Sequence, residues 1–139
     1  MSLEQVIHQR WRGDANLSSA LPPTRLATGV HQPESATETG IAIPYATLTQ
    51  SGEFARTRMS GGLVLVTAEI TFRVWCESLT ELKHLDELIA RCFERRDFSL
   101  GRHRILDMRN VAHLETLQDD ALWRLETTYH MRVEVKEKP

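Results

Sequence analysis

The longest regular pattern in the chain is an alternation of apolar and polar positions between residues 64 and 76. The seven even positions are apolar, and these are Val64, Val66, Ala68, Ile70, Phe72, Val74 and Cys76. The odd positions between them include threonine, glutamate and arginine. The same period of two returns over residues 122–135. Because successive side chains of a strand point to opposite faces, both stretches are predicted to be long strands with one buried face.

Two helices are predicted from capping signals that precede apolar residues at helical spacing. Ser78 and Glu81 form a capping box at the start of a helix predicted over residues 79–95. The apolar stripe of this helix consists of Leu82, Leu85, Leu88, Ile89, Cys92 and Phe93. Ser2 gives the same capping signal for a short helix over residues 2–11. The apolar stripe of this first helix consists of Leu3, Val6, Ile7 and Trp11.

Shorter patterns and turn residues predict the secondary structure of residues 15–50. Residues 15–24 are small, polar and proline-bearing, so they are predicted to form a loop. Residues 25–31 are predicted to form a short strand, and residues 31–40 a solvent-exposed excursion. Residues 45–50, which follow Pro44, are rich in β-favouring side chains and predict a strand.

Two connections and one further strand complete the prediction. Residues 51–62 are polar and end in two glycines, which predicts a long mobile hairpin loop. Residues 103–118 predict a strand that carries Leu106, Met108, Ala112 and Leu114 on one side. The alternation blurs around residues 107–111, which indicates a bulge or a strand that is covered on both faces. Asp119 and Asp120 predict the turn into the last strand.

These elements predict an α+β fold with a mainly antiparallel sheet, an N-terminal helix and one helix at about residues 79–95 packed on the sheet. The chain has 139 residues, which is close to the common size of one domain, and residues 1–139 are interpreted as a single α+β domain. Hydrophobic residues make up 41% and charged residues 26% of the chain, a composition that argues against disorder.

Charge and hydropathy exclude several classes of function. A net charge of −2 and a pI of about 6.3 give no general attraction to nucleic acid or anionic membranes. No stretch approaches the ~20 apolar residues of a membrane span. The first residues are charged and lack the apolar core of a secretory signal, so a cytoplasmic location is expected. Cys76 and Cys92 are predicted to be buried structural thiols that lie too far apart to bond.

No sequence motif identifies a reaction. The sequence has no phosphate-binding glycine loop, no nucleophile elbow and no pair of metal ligands on one helix turn. His113 and Glu115 share one face of a predicted strand, with Asp107 and Arg109 further along, and such a set is capable of acid–base chemistry. A charged, solvent-exposed face of an antiparallel strand explains the same pattern. No catalytic residue, cofactor site or metal site is therefore assigned.

Several short motifs mark the order of the elements. Pro44-Tyr45 opens a strand, Gly61-Gly62 closes a polar loop, and the run from Phe72 to Trp75 ends the long strand. The leucine-bearing helix over residues 82–93 follows, and the run YHMRVEV over residues 129–135 closes the sheet. In this arrangement the chain resembles the tail terminator, or tail completion, proteins of long-tailed phages and prophages. The resemblance spans nearly the whole chain.

The resemblance implies a structural protein and not an enzyme. Proteins of this family assemble into a ring, typically of six copies, that caps the tail tube and joins the tail to the head. The expected partners are copies of the same chain, the tail tube protein and the head–tail connector. No cofactor, membrane or sequence-specific nucleic acid is expected to bind. The expected location is the host cytoplasm during assembly and then the virion tail.

A ring of identical subunits needs two different contact patches on each subunit. Leu63, Leu65 and Trp75 lie on the outward face of the predicted long strand, where apolar side chains need a partner. Arg56 and Arg58, in the predicted loop, are further candidates for contacts with acidic groups. Alternatively, the first helix covers Trp75 within the same chain.

Two other functions are compatible with the same residues. A small α+β ligand-binding or catalytic domain would carry an apolar pocket between sheet and helix, with a few polar groups pointing into it. An interaction module of the same fold that is unrelated to phages is also compatible, because a fold does not determine a function.

Overall fold

The two alternating stretches form neighbouring strands in the middle of a six-stranded sheet. The computed structural model describes residues 2–28, 43–94, 97–119 and 122–136. In these ranges the helices and strands are α1 (Leu3–Gly13), α2 (Ala15–Ala20), β1 (Leu26–Thr28), β2 (Tyr45–Arg58), β3 (Leu63–Cys76), α3 (Leu79–Phe93), β4 (Phe98–Leu100), β5 (His103–Asp119) and β6 (Leu122–Lys136). The strand order is β1-β2-β3-β6-β5-β4. Only β1 and β2 pair in parallel among the described strands, so the predicted α+β class with a mainly antiparallel sheet is confirmed.

β3 confirms the predicted alternation along its whole length. Every even-numbered residue from Val64 to Cys76 is buried. β2 and β6 flank β3 on its two sides, and each pairs with almost all of its residues. Two paired neighbours fix the register of a strand, so the apolar side chains all point to one face. α1 and α3 pack on this face, which is called the helix face below.

Aromatic side chains occupy the centre of the core between the helices and the sheet. The ring centroid of Phe72 lies 5.8 Å from that of Trp11, 5.3 Å from that of Phe93 and 6.0 Å from that of Tyr129. None of these four side chains is more than 1% exposed. The indole nitrogen of Trp11 donates a hydrogen bond of 3.0 Å to the carbonyl of Leu21, so this buried donor is satisfied. These contacts hold α1 and α3 against the sheet.

Both predicted helices begin at their predicted capping residues. Ser2 and Gln5 form the two reciprocal hydrogen bonds of a capping box. The hydroxyl of Ser78 accepts a hydrogen bond of 3.1 Å from the backbone N–H of Glu81. α3 ends at Phe93, and its predicted apolar stripe is entirely buried. Within the described ranges, no helix is long and apolar enough to cross a membrane.

The prediction of a loop over residues 15–24 is wrong. Residues 15–20 form the short helix α2, and residues 23–25 form one turn of 3₁₀ helix. Asp14 caps α2 because its carboxylate accepts a hydrogen bond of 2.9 Å from the backbone N–H of Leu17. Leu17 is the one buried residue of α2. A six-residue helix with one buried leucine is too short to show a helical period in the sequence.

The prediction of a long mobile loop over residues 51–62 is also wrong. β2 continues through this segment to Arg58 and remains paired with β3. Two register shifts within residues 50–55 interrupt the alternation of β2, which explains why the sequence did not indicate a strand. The turn itself is short and contains Gly61 and Gly62, with φ angles of 78° and 76° that favour glycine. A long β2–β3 hairpin therefore replaces the predicted loop.

The remaining predictions concern shorter features. The strand predicted over residues 25–31 corresponds to β1, which pairs with β2 at Ala46–Leu48. The excursion predicted over residues 31–40 lies outside the described residues. Cys76 and Cys92 are both buried and are not joined in a disulfide, as expected for structural thiols.

Candidate functional site

The residues predicted to contact a partner are distributed over two faces of the β2–β3 hairpin. Leu63 and Leu65 are half-buried and lie on the face of β3 opposite the helices, which is called the outer face below. Arg56 and Arg58 are exposed, and each pairs across from a buried valine of β3. Directly paired residues of an antiparallel sheet share a face. The two arginines therefore lie on the helix face, and the two leucines lie on the outer face.

Trp75 lies on the outer face, but it is completely buried. Its ring centroid is 6.0 Å from that of Tyr45 on the neighbouring strand. α1 does not cover it, because Trp11 packs against Phe72 on the helix face. The alternative in which the first helix covers Trp75 is therefore wrong. Trp75 also has no exposed surface with which to contact a partner directly.

β5 carries most of the large apolar side chains that are exposed in the described part of the chain. Val111, Leu114 and Leu117 are 46%, 57% and 49% exposed. The sequence pattern placed Leu114 on the same side as Met108, which is buried. A register shift beside Val111 places these two side chains on opposite faces. The blurred alternation around residues 107–111 was the signal for this bulge.

The long strands β2 and β5 are each paired along only part of their length on the side that faces away from the centre of the sheet, where the short strands β1 and β4 lie. β1 pairs with β2 at Ala46–Leu48, and β4 pairs with β5 at residues 103–105. Over the rest of β2 and β5, the described chain supplies a paired strand on one side only. Such an edge presents backbone donors and acceptors to another chain. The two edges lie on opposite sides of the sheet, because β3 and β6 separate β2 from β5.

A polar cluster forms where α3 lies over β5, and it consists of Asp86, His113 and Glu115. The Nε2 atom of His113 lies 2.7 Å from Oδ2 of Asp86 and 3.6 Å from Oε1 of Glu115. One ligand atom from each side chain lies within 4.8 Å of the other two. The sequence had indicated the pair on β5, but it missed Asp86, which lies 27 residues away from His113 along the chain.

The environment of the polar cluster raises the pKa values of Asp86 and Tyr129. Burial raises the pKa of Asp86, whereas the contact with His113 lowers it, and the net pKa shift is upward. Burial also raises the pKa of Tyr129, and the nearby charge of Asp86 adds to this shift. Further inside, the amide of Asn110 donates a hydrogen bond of 2.7 Å to the hydroxyl of Thr127. One imidazole and two carboxylates can hold a proton or a cation between them.

Asp107 and Arg109 do not belong to the polar cluster. They pair across from Arg132 and His130 on the outer face, because the register shift of β5 separates them from His113. A carboxylate oxygen of Asp107 lies 3.8 Å from the guanidinium of Arg109. These outer-face residues line a cleft of about 420 Å³. His113 and Glu115 share the helix face, as predicted, whereas Asp107 and Arg109 lie on the opposite face of the same strand.

The region in which a ligand-binding domain would carry its pocket is filled by side chains. Trp11, Phe72, Phe93 and Tyr129 occupy the space between the helices and the sheet. The described clefts lie instead at the surface. One cleft of about 250 Å³ separates the end of α1 from β4, where the guanidinium of Arg10 lies 4.6 Å from the ring centroid of Phe98.

The fold defines an α+β protein with helices on one face of a mainly antiparallel sheet. No protein-family model matches the sequence, and no curated protein sequence matches it. The same fold is found in a chain of the solved structure of the virion of a native gene transfer agent particle. The superposition has a TM-score of 0.69 at 18% identity, and it covers 96% of this chain and 95% of that chain. At this identity the likeness shows a common fold over nearly the full length.

Proposed function

We propose that the protein is a structural subunit of a phage-like particle and acts by assembly, in the manner of a tail terminator. The observation that carries this proposal is the fold shared with a gene transfer agent virion chain, at a TM-score of 0.69 over nearly all of both chains. The family-like motifs of the sequence support the finer role. In that role six copies form a ring that caps the tail tube, and the ring contacts the tube protein and the head–tail connector.

Two separate apolar patches on the outer face meet the requirement for two different contact sites. The hairpin patch consists of Leu63 and Leu65, and the β5 patch consists of Val111 and Leu114. Leu65 pairs across from Glu134 of β6, whereas Leu114 pairs across from Glu126 of the same strand. At ~3.4 Å per residue the patches are therefore roughly 27 Å apart along the sheet.

In the proposed ring, the hairpin patch of one subunit packs on the β5 patch of the next subunit. Within the described residues, β2 beside the hairpin patch and β5 beside the β5 patch are each paired on one side only over much of their length, so backbone pairing between neighbouring subunits is able to extend the contact. Arg56 and Arg58 lie on the helix face and belong to neither patch. We assign these two arginines to contacts with acidic groups of the tail tube.

A cysteine cross-linking experiment tests this contact. The double variant Leu65→Cys/Leu114→Cys is incubated with tail tubes under mild oxidation and analysed on a denaturing gel. A head-to-tail ring gives a ladder of cross-linked species that ends at the hexamer. The native thiols of Cys76 and Cys92 are buried and do not contribute. The matched control Gln9→Cys/Leu114→Cys replaces the hairpin cysteine by one at an exposed position of α1.

The single variants make the test directional. A mixture of Leu65→Cys and Leu114→Cys chains is expected to stop at cross-linked dimers, and neither variant alone is expected to cross-link. Cross-linking of either single variant with itself would indicate a two-fold contact and would contradict the proposed ring. Absence of a ladder from the double variant, under conditions in which tubes are capped, would reject these two patches.

A further inference from the structure

The polar cluster of Asp86, His113 and Glu115 has the composition of a metal site, and the assembly role proposed above does not use it. It contains one imidazole and two carboxylates from two separate elements, α3 and β5. His113 and Glu115 are two residues apart on one strand, so their side chains leave the same face. Asp86 reaches them from the helix that packs above this face.

The ligand atoms lie close enough together for side-chain rotations to bring them to one ion. Zinc binds imidazole nitrogen at ~2.0–2.1 Å and carboxylate oxygen at ~2.0–2.2 Å in tetrahedral geometry, so two of its ligand atoms are about 3.4 Å apart. Nε2 of His113 lies 3.6 Å from Oε1 of Glu115 and 2.7 Å from Oδ2 of Asp86, and the three ligand atoms lie within 4.8 Å of one another. Side-chain rotations that move these atoms by about 1 Å would bring all three to one ion, and the ion would replace the direct contact between His113 and Asp86.

The charge and the exposure of the cluster also fit a cation. Two carboxylates around one imidazole carry a net negative charge whether or not His113 is protonated. The side chains of Asp86, His113 and Glu115 are 26%, 39% and 22% exposed, so an ion is able to enter from solvent. Three protein ligands leave at least one coordination position for water.

We propose that Asp86, His113 and Glu115 bind a divalent transition-metal ion, with zinc as the representative ion. A nitrogen ligand together with carboxylate oxygens favours such ions over magnesium and calcium, which prefer oxygen ligands alone. The bound ion would cross-link α3 to β5 at a point where β5 has left its pairing with β4. The ion would therefore fix α3 against β5.

Titration of the full, untagged chain with zinc chloride tests the site. Calorimetry is expected to give one ion per chain, and thermal unfolding is expected to shift upward with zinc and to return with EDTA. The variants His113→Gln and Asp86→Asn are each expected to weaken binding at least about tenfold. The control His84→Gln removes an exposed histidine from α3, the helix that carries Asp86, and this variant is expected to bind zinc as the wild type does.

Two further measurements test zinc binding at His113 directly and its selectivity over magnesium. Histidine side-chain NMR of the wild type is expected to show a zinc-dependent shift of Nε2 of His113, which does not depend on how well any variant folds. Magnesium at the same concentration is expected to leave this signal unchanged. Absence of a shift at His113, or equal zinc affinity in the wild type and in His113→Gln, would overturn the proposal.

Discussion

β3 and β5 are the same kind of element, yet the chain uses them differently. β3 has 14 residues, is paired along both sides and buries every even position on one face. β5 has 17 residues, shifts register at three points and exposes Val111, Leu114 and Leu117. Two neighbouring strands and the helix layer impose one register on β3. β5 has β6 alone along most of its length within the described chain, so its other edge presents backbone donors and acceptors to a further chain.

The reactivity of the two native thiols measures how accessible to solvent the core between the helices and the sheet is. Burial raises the pKa of Cys76 and of Cys92 to about 12, from an ordinary value of 9.0. At mildly alkaline pH the thiolate fraction is then about a thousandfold smaller than for an exposed thiol, and the thiolate is the reactive species. We expect alkylation of both native thiols to be slower by at least this factor than alkylation of a Leu114→Cys variant on β5. Comparable rates at the two locations would show that the helix face opens readily.

The same upward shift sets the direction of a pH effect on stability. The folded state holds both thiols protonated, so their contribution is fully present below the unfolded pKa of about 9 and is lost as the pH rises toward 12. Urea unfolding at increasing alkaline pH is expected to show a fall in the free energy of unfolding across this window. Cys76→Ala and Cys92→Ala would each be expected to make the fall shallower.

Truncation of Phe72 is expected to give the largest loss of stability on β3. This side chain is fully buried and contacts the rings of Trp11, Phe93 and Tyr129. Phe72→Ala should therefore lower the free energy of unfolding by about 3–5 kcal/mol, as measured by urea denaturation. Leu114→Ala on β5 is the control and should change it by less than about 0.5 kcal/mol. Equal losses at the two positions would remove the distinction between the strands.

Ion pairs give a smaller test of the same distinction. The Nε atom of Arg73 donates to Glu126 over 2.9 Å on the outer face of the β3–β6 pair, and these side chains are 21% and 35% exposed. On β5, Asp107 and Arg109 are 3.8 Å apart, and Arg109 is 71% exposed. Glu126→Gln should cost up to about 1 kcal/mol, whereas Asp107→Asn should cost almost nothing. A double-mutant cycle measures each coupling, and a stronger coupling on β5 would be the contrary result.

The smallest change in stability is expected where the change in assembly is largest. Leu114→Lys places a positive charge on an exposed position of β5, across from Glu126, and should alter the free energy of unfolding by less than about 0.5 kcal/mol. The same charge would lie within the proposed contact between subunits and should abolish ring formation on tail tubes. Gln9→Lys adds an equal charge on α1 and should leave assembly unchanged. A Leu114→Lys protein that is folded and assembles normally would remove the β5 patch from the interface.

The sequence predicted the elements whose signals are local. The alternation of β3, the apolar stripe of α3 and the caps at Ser2 and Ser78 all lie within one segment, and each is confirmed. The end of β2 was missed because two register shifts break its alternation. α2 was missed because six residues with one buried leucine carry almost no pattern.

The candidate sites were harder to predict because they depend on contacts between distant segments. Asp86 meets His113 across 27 residues, and no pattern in either segment indicates the other. The bulge beside Val111 shifts the alternation of β5 by one residue. Even-numbered residues before the bulge, such as Met108, therefore lie on the helix face, whereas even-numbered residues after it, such as Leu114, lie on the outer face. Burial of Trp75 likewise depends on the packing of the folded sheet, since its position in the alternation places it outward.

The proposed role of this protein is to cap a tail tube. This role is tested by adding purified protein to growing tail tubes and recording, by electron microscopy, the fraction of capped ends and the distribution of tube lengths. A capping protein is expected to form a ring at one end of each tube and to arrest growth in proportion to the amount of protein added. If tubes lengthen at the same rate with and without the protein and show bare ends, the protein is not a tail terminator.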